Sequence, residues 1–131
     1  MSGVLVDSDV LIDVLRRRKS GVIEDWSDLA NSNQMVYYSP VSVAELQHGM
    51  REAERQTVEQ LFSALACVPI GEEIGYKAGV YLRAFQKSHS LALGDALLAA
   101  TANVHGLVFW TQNLKQFPMK DLSFFRPQRL Q

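Results

Sequence analysis

The stretch Val4-Leu5-Val6-Asp7-Ser8-Asp9-Val10-Leu11-Ile12-Asp13-Val14-Leu15 changes its periodicity in the middle. Val4, Leu5 and Val6 form a short apolar run, as a buried strand does, and the run stops at Asp7. Val10, Leu11, Val14 and Leu15 then recur at helical spacing, with Asp9 placed to cap the helix and the basic residues 16–19 closing its last turn against the dipole. The chain therefore opens strand, turn, helix, with carboxylates at the turn.

The same alternation continues. Residues 20–30, with Val22, Ile23, Trp26 and Leu29 on one face, predict a second helix, and the apolar run 35–38 predicts a second strand stopped by Ser39-Pro40. Ser42 followed by Glu45 has the spacing of a capping box, opening a short helix through Gln47 with Gly49 as its stop. Val58, Leu61, Phe62 and Leu65 mark another helix, and residues 67–70 another short strand. Ile74, Ala78, Tyr81, Leu82 and Phe85 form the strongest helical stripe. After Gly94 an Ala/Leu-rich helix covers 95–102 and ends near Gly106, residues 107–110 predict a buried strand, and 122–125 an edge strand. Strands alternating with helices give an α/β fold with a central, mainly parallel sheet, in which ligands bind beyond the carboxyl ends of the strands.

Composition sets outer limits. With 131 residues, 47% apolar, and 13 Lys and Arg against 14 Asp and Glu, the expectation is one globular domain over 1–131 and not a disordered chain. The net charge of -1 provides no bulk attraction to nucleic acid, so any such contact requires a local basic patch. Cys67 is the single cysteine, which excludes an intramolecular disulfide and a thiolate zinc site and predicts a buried apolar residue in a reducing compartment. Asp7 and Asp9 interrupt any secretory leader, and no apolar stretch approaches a membrane span of about 18 residues. The expected location is cytoplasmic, with no membrane partner.

Three carboxylates occupy equivalent places: Asp7 at the end of the first strand, Glu45 in the first turn of the helix after the second, and Asp95 opening the helix before the strand that contains Trp110. In a parallel sheet these positions converge on one edge, together with Thr111 and Asn113. Ionised carboxylates about 4 Å apart repel by roughly 4 kcal/mol per pair at an effective dielectric near 20. A hard divalent cation such as Mg²⁺ or Mn²⁺, which takes oxygen ligands, offsets this. Each acid taken alone reads equally well as a helix-terminal residue. Arg51, Arg55, Lys115 and the basic residues 16–19 are either guides for a phosphate backbone or solvated helix ends. His48, His89 and His105 share no spacing that supports a zinc or general-base role, and Tyr37, Tyr38, Tyr81 and Phe85 read as core or dimer contacts ahead of base-stacking platforms.

Four blocks carry a resemblance: Leu5-Val6-Asp7-Ser8-Asp9-Val10-Leu11-Ile12, Ser39-Pro40-Val41-Ser42-Val43-Ala44-Glu45-Leu46, Asp95-Ala96-Leu97-Leu98-Ala99-Ala100-Thr101-Ala102 and Trp110-Thr111-Gln112-Asn113-Leu114-Lys115-Gln116-Phe117. In this order and at this chain length they resemble the PIN-domain ribonucleases of the VapC toxin type. The resemblance implies a three-layer α/β/α domain and a Mg²⁺- or Mn²⁺-dependent endoribonuclease acting as the toxin of a type II toxin–antitoxin pair. It also implies a homodimer, a hetero-oligomer with a cognate antitoxin, and an RNA substrate, with tRNA or ribosomal RNA ahead of messenger RNA. Carried over, Asp7, Glu45 and Asp95 are the metal-binding acids. Asp9 supports the first acid from behind, and Thr111 or Asn113 contacts a phosphate oxygen. In the hydrolysis this implies, Asp7 and Asp95 hold the cation while Glu45 orients or deprotonates the attacking water. Members often place a fourth acid in the last block, where this chain has Asn113 and Gln116, which leaves a second metal open. Two other readings stand beside this one. Asp7 and Asp9 also resemble the nucleophile and acid/base of haloacid-dehalogenase-type phosphatases, and an acidic pocket without catalysis could dock a basic segment of a partner.

Overall fold

Strand β1 (Val4–Val6) is the centre of a sheet that, in the computed structural model, has the order β3-β2-β1-β4-β5, with β2 at Val36–Tyr38, β3 at Ala66–Cys67, β4 at Val108–Trp110 and β5 at Ser123–Phe124. The structure describes residues 1–127. All four strand pairings are parallel, which accords with the mainly parallel sheet expected. Between them run α1 (Ser8–Arg16), α2 (Ser20–Ala30), α3 (Pro40–Gly49), α4 (Arg55–Ser63), α5 (Glu72–His89) and α6 (Leu93–His105).

The three apolar residues of β1 explain the layering. Leu5 points with Phe109 into a core built on α5 and α6, from Ile74, Ala78, Tyr81, Leu98 and Ala102. Val4 and Val6 point the other way, into a core with Val10, Leu11, Val22, Leu46, Val58 and Trp110 contributed by α1 to α4 and β4. A strand covered by helices on both faces must be apolar on both, which is why its pattern is continuous and not alternating. The result is the three-layer α/β/α arrangement.

Several boundaries differ from the sequence reading. Asp7, not Asp9, is the N-cap of α1; it has extended backbone and its carboxylate accepts from Ser8 N–H. Helix α3 is capped by Ser39, whose hydroxyl accepts from Val41 N–H, and Pro40 takes the first helical position because it has no N–H to lose. Ser42 is thus inside the helix, Glu45 lies in its second turn, and there is no Ser42–Glu45 capping box. Helix α6 begins at Leu93, so Asp95 is in its first turn and reaches back to the Ala92 N–H. The strand expected at 67–70 is Ala66–Cys67. It forms one edge of the sheet, so Cys67 is exposed and not buried as expected. Among the described residues, no helix is long and apolar enough to cross a membrane.

Candidate active site

The strand order reverses between β1 and β4, where chain leaves the two strands toward opposite sides, the arrangement that in open α/β sheets makes a crevice at the carboxyl ends of the strands. Register determines what lies there. Val6 is paired with Trp110, and the ladder continues by one bond, from Asp7 N–H to the Trp110 carbonyl at 2.8 Å. The next residues, Asp7 and Thr111, therefore meet, and the Thr111 hydroxyl donates to Asp7 Oδ2 at 2.8 Å. Ser8 N–H donates to Asp7 Oδ1 at 2.6 Å. Each oxygen of this carboxylate is held by one donor and keeps a lone pair for a further partner.

Ser8 links Asp7 to the neighbouring helix. Its hydroxyl donates to Glu45 Oε1 at 2.8 Å and lies 2.8 Å from the Ser42 hydroxyl. A hydroxyl has one proton, so Ser42 must donate to Ser8 while Ser8 donates to Glu45. Buried Ser42 thereby orients an exposed carboxylate on the next turn of its own helix. Helix α6 approaches α3 closely where Gly94 stands, since a Cβ there would lie 3.3 Å from Val41 Cγ1. This contact brings Asp95 toward Asp7.

Electrostatics follow from the burial. The Asp7 carboxyl, 7% exposed, is pushed up from 3.8 to about 7, chiefly by loss of water. Asp9 adds to that push and Asp95 adds less, against the anion-favouring bonds from Thr111 and Ser8. Asp9 is raised by burial as well; its Oδ2 accepts from Gln112 N–H at 3.1 Å, while its Oδ1 is buried with no hydrogen-bond partner. Asp95 is raised by burial, opposed by the Ala92 N–H. Among the described residues, no three His, Cys, Asp or Glu side chains are gathered into a ready-made cation cluster. Asp7 is instead linked to Glu45 through Ser8 and to Asp95 by like-charge repulsion across the crevice. The donor set still fits a hard divalent cation. The three acids offer only carboxylate oxygens, the neighbouring Asp9 has a buried oxygen that lacks a donor, and the Asp7 carboxyl resists ionising unless positive charge arrives.

Gln112 and Asp13, to which the sequence reading gave no role, complete the surroundings together with Lys19, one of its basic candidates. The Gln112 amide donates to Asp13 Oδ2 at 2.7 Å and to the Asp9 carbonyl at 3.3 Å, and its oxygen accepts from Lys19 Nζ at 3.1 Å. Lys19 also pairs with buried Asp13 at 3.4 Å, so a cation from the end of α1 stands beside the acids. Their only sequence signal was a basic residue just past the end of the first helix. Thr111, expected at a phosphate, already spends its proton on Asp7. Asn113 is exposed; its N–H donates to the Thr111 hydroxyl at 3.1 Å and its amide faces Gln116 Oε1 at 3.4 Å. Of the basic residues offered as guides, Arg16 forms a two-pronged pair with Glu54 at 3.0 and 3.1 Å, and Arg55 pairs with Glu52.

Comparison with known proteins supplies the rest. A family model described as "PIN domain" matches residues 4–119. The chain is 44% identical over 119 residues to Ribonuclease VapC10 of Mycobacterium tuberculosis, covering 88% of this chain and 86% of that protein. It is 31% identical over 116 residues to Ribonuclease VapC19 of the same organism, covering 88% and 92%. Among solved structures, the crystal structure of VapBC2 from Rickettsia felis bound to a DNA fragment from their promoter superposes with a TM-score of 0.79 at 19% identity, over 95% of this chain and 98% of that one.

Proposed function

Because the chain belongs to the PIN-domain family, with a VapC ribonuclease among its relatives at 44% identity, we propose that it is an endoribonuclease of the VapC type and the toxin of a toxin–antitoxin pair. The observation that carries this reading is the Asp7 carboxyl, buried at the strand-order reversal and held up to about 7 by burial with Asp9 and Asp95 as like-charged neighbours. An acid kept out of water beside other acids is arranged for a cationic partner. The phosphatase alternative needs an accessible acid at Asp9, whose Oδ2 is bound by Gln112 N–H and whose Oδ1 is buried.

Asp7, Glu45 and Asp95 would hold Mg²⁺ or Mn²⁺, with Asp9 behind them. When bound, such an ion lowers the pKa of a coordinated water and offsets charge on the phosphate. The chain's own contribution is orientation. Thr111 and Ser8 fix the plane of Asp7, so its free lone pairs face the crevice in one direction. The Ser42–Ser8 relay fixes Glu45, the most exposed of the three acids, at the mouth where an attacking water enters and a proton must be taken. The exposed Lys115 is the cation placed to meet the RNA backbone, whereas Lys19 is engaged by Asp13 and Gln112, and Arg16 and Arg55 are committed to glutamates. The acidic crevice also suits a basic side chain of a cognate antitoxin, which would silence the enzyme by occupying the cation's place. A homodimer and a cytoplasmic setting accompany this reading.

The decisive experiment incubates the purified chain with total RNA in millimolar Mg²⁺ or Mn²⁺, with and without excess EDTA. Discrete cleavage that EDTA abolishes, and that Asp7→Asn and Asp95→Asn both lack while keeping the native circular dichroism, is the expected result. Undiminished cleavage in EDTA or in either variant would reject it.

A further inference from the structure

Gln116 stands where the resemblance leads one to expect an acid, and its amide is fully engaged as a donor. Nε2 donates to the His89 carbonyl at 2.8 Å and to the Ser90 carbonyl at 2.9 Å. Those carbonyls belong to the end of α5, where no further helical turn can satisfy them. Ser90 itself is held in the left-handed region, with φ 52° and no glycine to ease it. A carboxylate at 116 has no proton to give and would face the negative end of the helix dipole.

The geometry points to Gln116 as a positioning residue, a clamp whose two amide protons fasten the loop after β4 to the turn between α5 and α6, so that Asp7 and Asp95 are held in one frame. On the loop side, Gln116 N–H donates to the Asn113 carbonyl at 3.0 Å, Asn113 N–H donates to the Thr111 hydroxyl at 3.1 Å, and Thr111 donates to Asp7 at 2.8 Å. On the turn side, buried Leu91 and then Ala92 lead from the clamped carbonyls into α6, where Asp95 accepts from Ala92 N–H at 3.3 Å. Two acids from segments distant in the sequence thus share one tie. The amide in place of an acid is, on this account, a gain of structure and not only a missing ligand. What the clamp is for rests on the nuclease reading; whether it exists does not.

The test uses Gln116→Ala, Gln116→Glu and Gln116→Lys, with amide hydrogen exchange read in metal-free protein and Mn²⁺ binding read by calorimetry. Ala and Glu should speed exchange at residues 91–95 by about tenfold or more, as expected for two lost hydrogen bonds. Lys, which keeps donors to both carbonyls and suits a helix C-terminus, should retain the protection. Gln116→Ala should also raise the Mn²⁺ dissociation constant by about tenfold, in the range seen when a ligand's orienting partner is lost. A merely structural role would lower the melting temperature and leave that constant unchanged, which would overturn the proposal. So would Gln116→Glu with native exchange and tighter Mn²⁺ binding, because position 116 would then be a ligand position. Wild-type protein that takes up no Mn²⁺ and cuts no RNA would sink the nuclease reading, while the exchange comparison of Ala with Lys would still decide the clamp.

Discussion

Replacing Asp7 by Asn should abolish cleavage and, in metal-free protein at pH 8, make the fold more stable. Moving a buried carboxyl from 3.8 to about 7 corresponds to roughly 4 kcal/mol of resistance to ionisation. The sign follows from proton binding. Between these values the folded chain holds a proton the unfolded chain has lost, so stability falls as pH rises through that window, and above about 7 the full penalty stands. Asparagine carries no such penalty. It keeps one oxygen for Ser8 N–H and gives up the second charged acceptor, which removes about 1 to 2 kcal/mol. The net gain is on the order of 2 to 3 kcal/mol, or about 10 °C in melting temperature for a chain of this size. Asp9 and Asp95 are raised in the same direction and are present in both proteins, so the difference between the two melts reports residue 7 together with its repulsion of these two neighbours. Thermal melts in EDTA at pH 8 and pH 5 should show the variant ahead at pH 8 and the advantage shrinking by about 2.5 kcal/mol at pH 5, where wild type regains its proton. Mn²⁺ at a hundredfold excess over Kd should erase the variant's lead, since binding then adds about 2.7 kcal/mol to wild type alone. A variant that melts below wild type at pH 8, or a difference that does not change with pH, would refute the reasoning.

Ser8→Ala should leave the fold native but lower cleavage at least tenfold, because Glu45 loses its donor and the buried Ser42 hydroxyl its acceptor; RNA cleavage rates alongside circular dichroism check this. Gly3→Ala should destabilise by several kcal/mol in urea melts, since Gly3 has φ 136° and an added Cβ would collide with the Met35 carbonyl oxygen. Phe109→Ala should cost about 3 to 5 kcal/mol in the same melts, because its ring is fully buried and packs edge-on against Phe117 at 5.0 Å.

What the sequence made legible was whatever a segment decides within itself. The continuous run Val4-Leu5-Val6 announced a strand covered on both faces, and the stripe Ile74, Ala78, Tyr81, Leu82, Phe85 announced α5, since each pattern reports which side faces a core. The places of two candidate acids were legible for the same reason: Asp7 directly follows a strand and Asp95 lies in the first turn of a helix. Helix α3 marks the limit. Ser42 was the expected cap, yet Ser39 takes that place, and the Ser42 hydroxyl instead meets Ser8 on another element, a contact that no local pattern can announce. Cys67 failed likewise, because an apolar residue is buried only if its strand is interior, and sheet order places β3 at the edge.

The donors around the acids belong to a third kind of information, which is register. Once β1 lies beside β4 with Val6 opposite Trp110, the residues that follow each strand must meet, and Thr111 is the only possible first neighbour of Asp7 along that ladder. The same alignment sets Asp9, two residues on, against Gln112 N–H, and through the Gln112 side chain reaches Asp13 and Lys19. None of these contacts was readable from segments taken singly, yet a single pairing generates them all. The candidate site is therefore not a set of acids that a fold brings together by chance. The parallel pairing at the strand-order reversal places an acid at the end of one strand and its hydroxyl donor at the end of the next. A change that slipped β4 by one residue would separate Asp7 from Thr111 while also turning Phe109 and Trp110 out of their cores, so site geometry and sheet stability would be lost in one step.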